Sequence, residues 1–95
     1  MSDVITQAVA QLNEKMDGGF DGTAKFIVEG EGAIMIDQDG ARAGDDDADV
    51  TLTASRDTFE GILNGEENAT AAFMTGKLTI DGDMGKAMQL AAVLA

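Results

Sequence analysis

The residues able to do chemistry in this chain are nearly all carboxylates. Asp45, Asp46, Asp47 and Asp49 crowd into five positions, and Asp37, Asp39 and Gly40 stand a few residues earlier. The first group offers the oxygen donors a hard cation prefers, but no spacing that fixes a coordination geometry, so a solvated acidic connection accounts for it better. The second copies the opening of a calcium loop and then breaks from it. Ala41 stands where a further oxygen ligand is needed, and no Glu closes the loop at the required distance. No metal site is expected. Two carboxylates can act as general acid and base, yet 18 Asp and Glu, the aspartates falling at turns and caps that water reaches, single out no desolvated pair. His, Cys, Tyr and Trp are absent, which removes Ser-His-Asp and Cys-His catalysis and His-ligated zinc. Gly76-Lys77 is like the end of a phosphate loop, but Leu78 takes the Ser/Thr position and Ala71 that of the first glycine. We therefore assign no catalytic residue and no cofactor, and expect a protein that is not an enzyme.

Binding is better represented than catalysis. Beyond Met1, the methionines are Met16, Met35, Met74, Met84 and Met88, set against only four aromatics, Phe20, Phe26, Phe59 and Phe73. Met is flexible and polarisable, and it repacks around irregular space. Two readings stand side by side, an ordinary core filler and a pliable wall for an apolar guest.

The elements that would hold these residues follow from hydrophobic period and punctuation. Residues 3–16 read as a helix, with Val4, Ile5, Ala8, Leu12 and Met16 at helical spacing, Gln7, Gln11, Glu14 and Lys15 on the other face, a cap at Ser2 or Asp3, and a stop at Gly18-Gly19. From Thr23 the period becomes two. Ala24, Phe26 and Val28 alternate with polar residues except at Ile27, then Ala33–Ile36 and the short Ala41–Ala43 return as a meander. Val50, Leu52 and Ala54 make a fourth strand. Ser55 caps a helix carrying Phe59, Ile62 and Leu63 that ends at Gly65, and a second short helix spans about Glu67–Thr75 before the Gly76 stop. Leu78 and Ile80 form a fifth strand. Asp83 caps the last helix, on which Met84, Ala87, Met88, Ala91 and Leu94 share a face that is expected to point inward. The order α-βββ-β-αα-β-α means an α+β fold with helices packed on one sheet face, and 95 residues make a single domain over 1–95.

Charge excludes several partners. Eighteen acidic against six basic residues give −12, which repels nucleic-acid backbones and anionic membrane surfaces. The residues Met1–Gln7 lack the basic and apolar regions of a signal peptide, and no apolar run reaches the ~18 residues of a membrane span. A soluble, cytoplasmic protein without stable membrane insertion is expected.

The C-terminal half carries a family pattern. The run Ala48-Asp49-Val50-Thr51-Leu52-Thr53-Ala54-Ser55, followed by Asp57-Thr58-Phe59 and Ile62-Leu63-Asn64-Gly65, resembles the sterol carrier protein 2 (SCP2) family. So does Ala72-Phe73-Met74-Thr75-Gly76-Lys77-Leu78-Thr79-Ile80-Asp81-Gly82-Asp83-Met84 with Ala87 and Leu90. The motifs cover residues 48–94, while residues 3–44 agree only in element order. The resemblance implies a five-stranded mixed sheet with helices on one face, and non-catalytic binding of a fatty acid or sterol-like lipid in a tunnel between them. Carried over position by position, it points to Phe59, Ile62, Leu63, Phe73, Met74, Leu78, Ile80, Met84, Met88 and Ala91 as lipid-binding residues. The chain departs from eukaryotic members by ending at Leu94-Ala95 rather than on a peroxisomal signal, and its acidity makes the phosphates of acyl-CoA unwelcome.

The alternative reading is a structural or homodimeric module with a filled core. A dry cavity of ~300 Å³ at ~24 cal/mol per Å³ would cost ~7 kcal/mol, which rivals the whole ~5–15 kcal/mol stability of a small domain. A carrier of this size is thus expected to collapse, admit water or hold a lipid.

Overall fold

The computed structural model describes residues 3–16 and 20–94. Helix α1 (Asp3–Lys15) buries Ile5, Ala8 and Leu12, the stripe its spacing predicts. The caps expected at Ser2 and Gly18-Gly19 lie outside the described residues. Strands β1 (Ala24–Val28), β2 (Gly32–Asp37) and β3 (Gly40–Ala43) form the antiparallel meander. Strand β4 (Val50–Ala54) then crosses to the far side of β1 and runs parallel to it, with Ala24 opposite Val50 and Val28 opposite Ala54. Strand β5 (Leu78–Gly82) pairs antiparallel with β4. The result is one mixed five-stranded sheet in the order β3-β2-β1-β4-β5.

Alternation decides what each face meets. Ala24, Phe26 and Val28 of β1, Ile34 and Ile36 of β2, and Val50, Leu52 and Ala54 of β4 are buried in one core with residues from the helices. On the opposite face the connection from β3 to β4 passes over the sheet. The Lys25 ammonium binds Asp45 at 2.8 Å, and a Cβ added at Gly44 would sit 3.1 Å from Met35 Cγ. Met35 is consequently buried beneath an acidic connection whose Asp45, Asp46 and Asp47 remain exposed. Ile27, the residue that broke the alternation, lines a shallow groove on that same face with Ala33 and Asp45.

Helix α2 (Arg56–Asn64) begins where the Thr58 N–H donates to Ser55 Oγ at 3.2 Å, and ends at Gly65, whose φ of 82° lets its N–H turn back to the last carbonyls. Helix α3 (Ala69–Met74) is shorter than expected at both ends. Asn68 supplies the cap by accepting the Ala71 N–H at 3.1 Å, which starts the helix after Glu67. Helix α4 (Met84–Leu94) starts at Asp83, whose carboxylate accepts the Lys86 N–H at 3.1 Å.

The inward face of α4 differs from the expected one. Ala87, Leu90 and Leu94 are buried, whereas Met84 and Met88 are 43% and 39% exposed and Ala91 is half-buried. At about 100° per residue, seating Ala87, Leu90 and Leu94 on the sheet rotates Met84, Met88 and Ala91 onto one flank. The small Ala87 brings the helix axis close to the sheet, and Lys86 ties the opposite flank down through its ammonium, 3.3 Å from the Asp21 carbonyl.

Helix α1 is pinned to the meander by one side chain. Asn13 Oδ1 accepts the Ala41 N–H at 2.7 Å while Asn13 Nδ2 donates to the Ala41 carbonyl at 3.0 Å, so both backbone groups of that β3 residue are satisfied from the side away from β2.

Candidate functional site

The ten residues singled out from the sequence fall into three environments. Phe59, Ile62, Leu63 and Leu78 are buried; Phe73, Ile80 and Ala91 are half-buried against the core; Met74, Met84 and Met88 are exposed, Met74 by 79%. Phe59 is wholly buried, its ring centroid 4.6 Å from that of Phe26 with the planes tilted by 51°. The helical geometry brings Met84, Met88 and Ala91 together along one flank of α4, and α4 adjoins α3 and β5, the elements bearing Phe73 and Ile80.

Two clefts open along the helix seams. The first, of about 170 Å³, lies between the α2–α3 turn and α4, and Ile62, Ala69, Ala91 and Leu94 give it an apolar wall. The second, of about 210 Å³, lies between α1 and α2. Its floor is Val4 and Ala8 from α1 with Phe59 and Leu63 from α2, and its rim is Gln7 and Gln11 from α1 with Glu60 and Asn64 from α2. Each helix contributes an apolar pair and a polar pair, both four residues apart, so the pairs stack on adjacent strips of its surface. Helix α2 is the wall shared by both clefts, since Phe59 and Leu63 face one and Ile62 the other.

Sequence reasoning had set Gln7 and Gln11 aside as a solvent face and left Asn64 and Glu60 without a role. The matching four-residue spacing on two helices was the available signal. Whether those helices adjoin is a tertiary fact.

Three of the singled-out carboxylates, Asp37, Asp45 and Asp49, have structural partners. Asp49 accepts the Thr23 N–H at 3.2 Å, Asp45 pairs with Lys25, and Asp37 accepts the Asp39 N–H at 2.9 Å and binds the Arg42 guanidinium at 2.6 Å. The Arg42 hydrogen bond, helped by that of Asp39, holds the Asp37 carboxyl below its usual range. Lys77, the lysine of the would-be phosphate loop, lies 3.6 Å from Glu67. No helix among the described residues is long and apolar enough to cross a membrane.

Comparison with known proteins bears on this arrangement. The family model described as the SCP-2 sterol transfer family matches residues 6–95. The chain belongs to the SCP-2 sterol transfer family. Within it, the chain is 35% identical over 83 residues to "Peroxisomal multifunctional enzyme A" of Dictyostelium discoideum, which covers 87% of this chain and 18% of that protein. The chain thus spans about a fifth of the length of the first curated relatives it matches, at 18% and 20%. Among solved SCP-2 structures, the apo form of Sterol Carrier Protein 2 from Yarrowia lipolytica is 28% identical, with a TM-score of 0.67 over 97% of this chain and 84% of that one. Sterol Carrier Protein-2 from Aedes aegypti in complex with palmitate has a TM-score of 0.79 over 100% of this chain and 97% of that one, and at 21% identity it supports the shared fold. The expectations of the family and of its mixed-sheet fold are thus met.

Proposed function

We propose that this chain is a non-catalytic lipid-binding module whose ligand tail is received between the sheet and helices α2, α3 and α4. The observation that carries the reading is the cleft walled by Ile62, Ala69, Ala91 and Leu94, of which Ala91 shares one flank of α4 with the exposed Met84 and Met88. Family membership supports it, as does the palmitate held by the Aedes relative of the same fold. A cleft of about 170 Å³ is well below the size of a long-chain lipid site. The physics of small domains explains why. A large dry cavity would consume most of the folding free energy, so the ligand-free form keeps the helices closed. Uptake then requires the wall to part, and methionine at the mouth makes that movement soft.

The driving force is removal of the tail from water, at ~0.8 kcal/mol per CH₂ before association costs. Of the residues carried over from the family, Phe59, Ile62, Leu63, Leu78 and Ala91 form the inner wall in this reading, and Phe73, Met74, Ile80, Met84 and Met88 the mouth.

The test is to extract purified protein with organic solvent, analyse the extract by mass spectrometry, and follow melting temperature against added fatty acids and sterols. A co-purified lipid, or a dose-dependent rise in melting temperature, is the expected result. The filled core also suits a second reading, a structural module that pairs with a copy of itself. Melting that ignores every lipid but depends on protein concentration would favour that reading.

A further inference from the structure

We propose that the cleft between α1 and α2 is the head-group site for an uncharged, hydrogen-bonding lipid head such as a primary alcohol or amide; this rests on the lipid-binding reading above. Gln7, Gln11 and Asn64 each present both a donor and an acceptor at the rim, so they satisfy a hydroxyl or amide in either direction. Glu60 adds an acceptor only. Among the described residues no Lys or Arg belongs to the lining, and Arg56, 3.3 Å from Glu60, is held by that carboxylate. A carboxylate or phosphate head would enter beside Glu60 without a counter-charge, whereas a neutral head loses water and regains partners.

The position of the cleft relates it to the tail site. Phe59 and Leu63 form part of its floor, and Ile62, one helical face away on α2, lines the cleft beside α4. A chain passing beneath α2 would therefore join the amide rim at one end to the Ala91 and Leu94 wall at the other. Gln7, Gln11 and Asn64 are all exposed, so substituting them leaves the core intact.

The experiment uses the full chain with a matched series: dodecane, dodecanol, dodecanamide and laurate at about neutral pH, with affinities from competition against a fluorescent fatty-chain probe. Dodecanol and dodecanamide are expected to bind about tenfold more tightly than laurate. Gln7→Leu combined with Gln11→Leu should remove that preference by weakening the alcohol and amide about tenfold while leaving dodecane unchanged. Glu60→Gln, which frees Arg56, should strengthen laurate selectively. Equal binding of all four ligands, or a tighter grip on laurate by the unmodified chain, overturns the head-group assignment and leaves tail binding standing. Failure of every member of the series to bind overturns the lipid-binding reading together with it.

Discussion

Phe26 of the central strand and Phe59 of α2 meet with ring centroids 4.6 Å apart, and this contact anchors α2 to the sheet. Helix α2 adjoins α1 more extensively than any strand, so its hold on the sheet rests on side chains such as Phe59. Phe59→Ala should therefore remove about 3–5 kcal/mol of stability by leaving a cavity over Phe26. Urea unfolding measures this. A loss below about 1 kcal/mol would mean that α2 is held elsewhere.

Met84→Asp separates the mouth from the core. Met84 is 43% exposed and opens α4, where an acidic residue favours the helix N-terminus. Stability should stay within about 0.5 kcal/mol, while affinity for a lipid tail falls about tenfold. Unchanged affinity in a folded Met84→Asp protein, read by titration with a fluorescent fatty acid, would place the entrance elsewhere.

Gly82→Ala tests the joint between β5 and α4. Gly82 has φ of 110°, and an added Cβ would lie 2.5 Å from the Asp49 carbonyl oxygen, a backbone atom that cannot swing aside. A loss of about 2–4 kcal/mol is expected. Gly30→Ala is the control, since φ is 80° there but no atom lies within 4 Å, and about 1 kcal/mol should suffice. Equal melting temperatures for the two variants would refute the steric account.

Asp37→Asn should change the response to acid. The Arg42 bond lowers the folded-state pKa of Asp37, so its stabilising effect is present above the unfolded value of about 3.9 and is lost as pH falls through the folded one. Wild type should exceed the variant at about pH 7 and converge with it toward about pH 2. Denaturant midpoints across that range measure the gap, and a gap independent of pH would exclude the linkage.

Salt offers a further check on the acidic surface. Lys25, Arg42, Arg56 and Lys77 are each paired with a carboxylate, yet 18 acidic against six basic residues leave a net charge of −12, whose overall interaction is repulsive. Raising ionic strength above about 0.1 M, where screening acts within about 10 Å, should raise the melting temperature. A fall would mean that the four pairs outweigh the mutual repulsion.

The fold was largely legible because its signals are local. Ser55, Gly65 and Asp83 punctuate helices through their own side chains or backbone, and Phe26 and Leu52 declare their strands by alternation. Periodicity could not show that β4 runs parallel beside β1, because both strands have the same period whichever neighbour they take. The resemblance supplied the mixed sheet instead. The rotation of α4 is not legible from the sequence, because Met84 and Met88 are apolar residues like Leu90. The sheet selects Ala87 for close approach, and hydrophobicity alone does not rank the faces. Gln7 and Gln11 gain significance only once Glu60 and Asn64 stand across from them.

Asn13 has a consequence for how these molecules tolerate crowding. By filling both hydrogen-bonding groups of Ala41, it plugs the open border of β3 at that residue with a side chain, which opposes addition of another polypeptide there as a new strand. The opposite border, β5, carries no such plug among the described residues. Strand-wise addition of another chain would therefore be obstructed at the β3 margin of the sheet and not at the β5 margin.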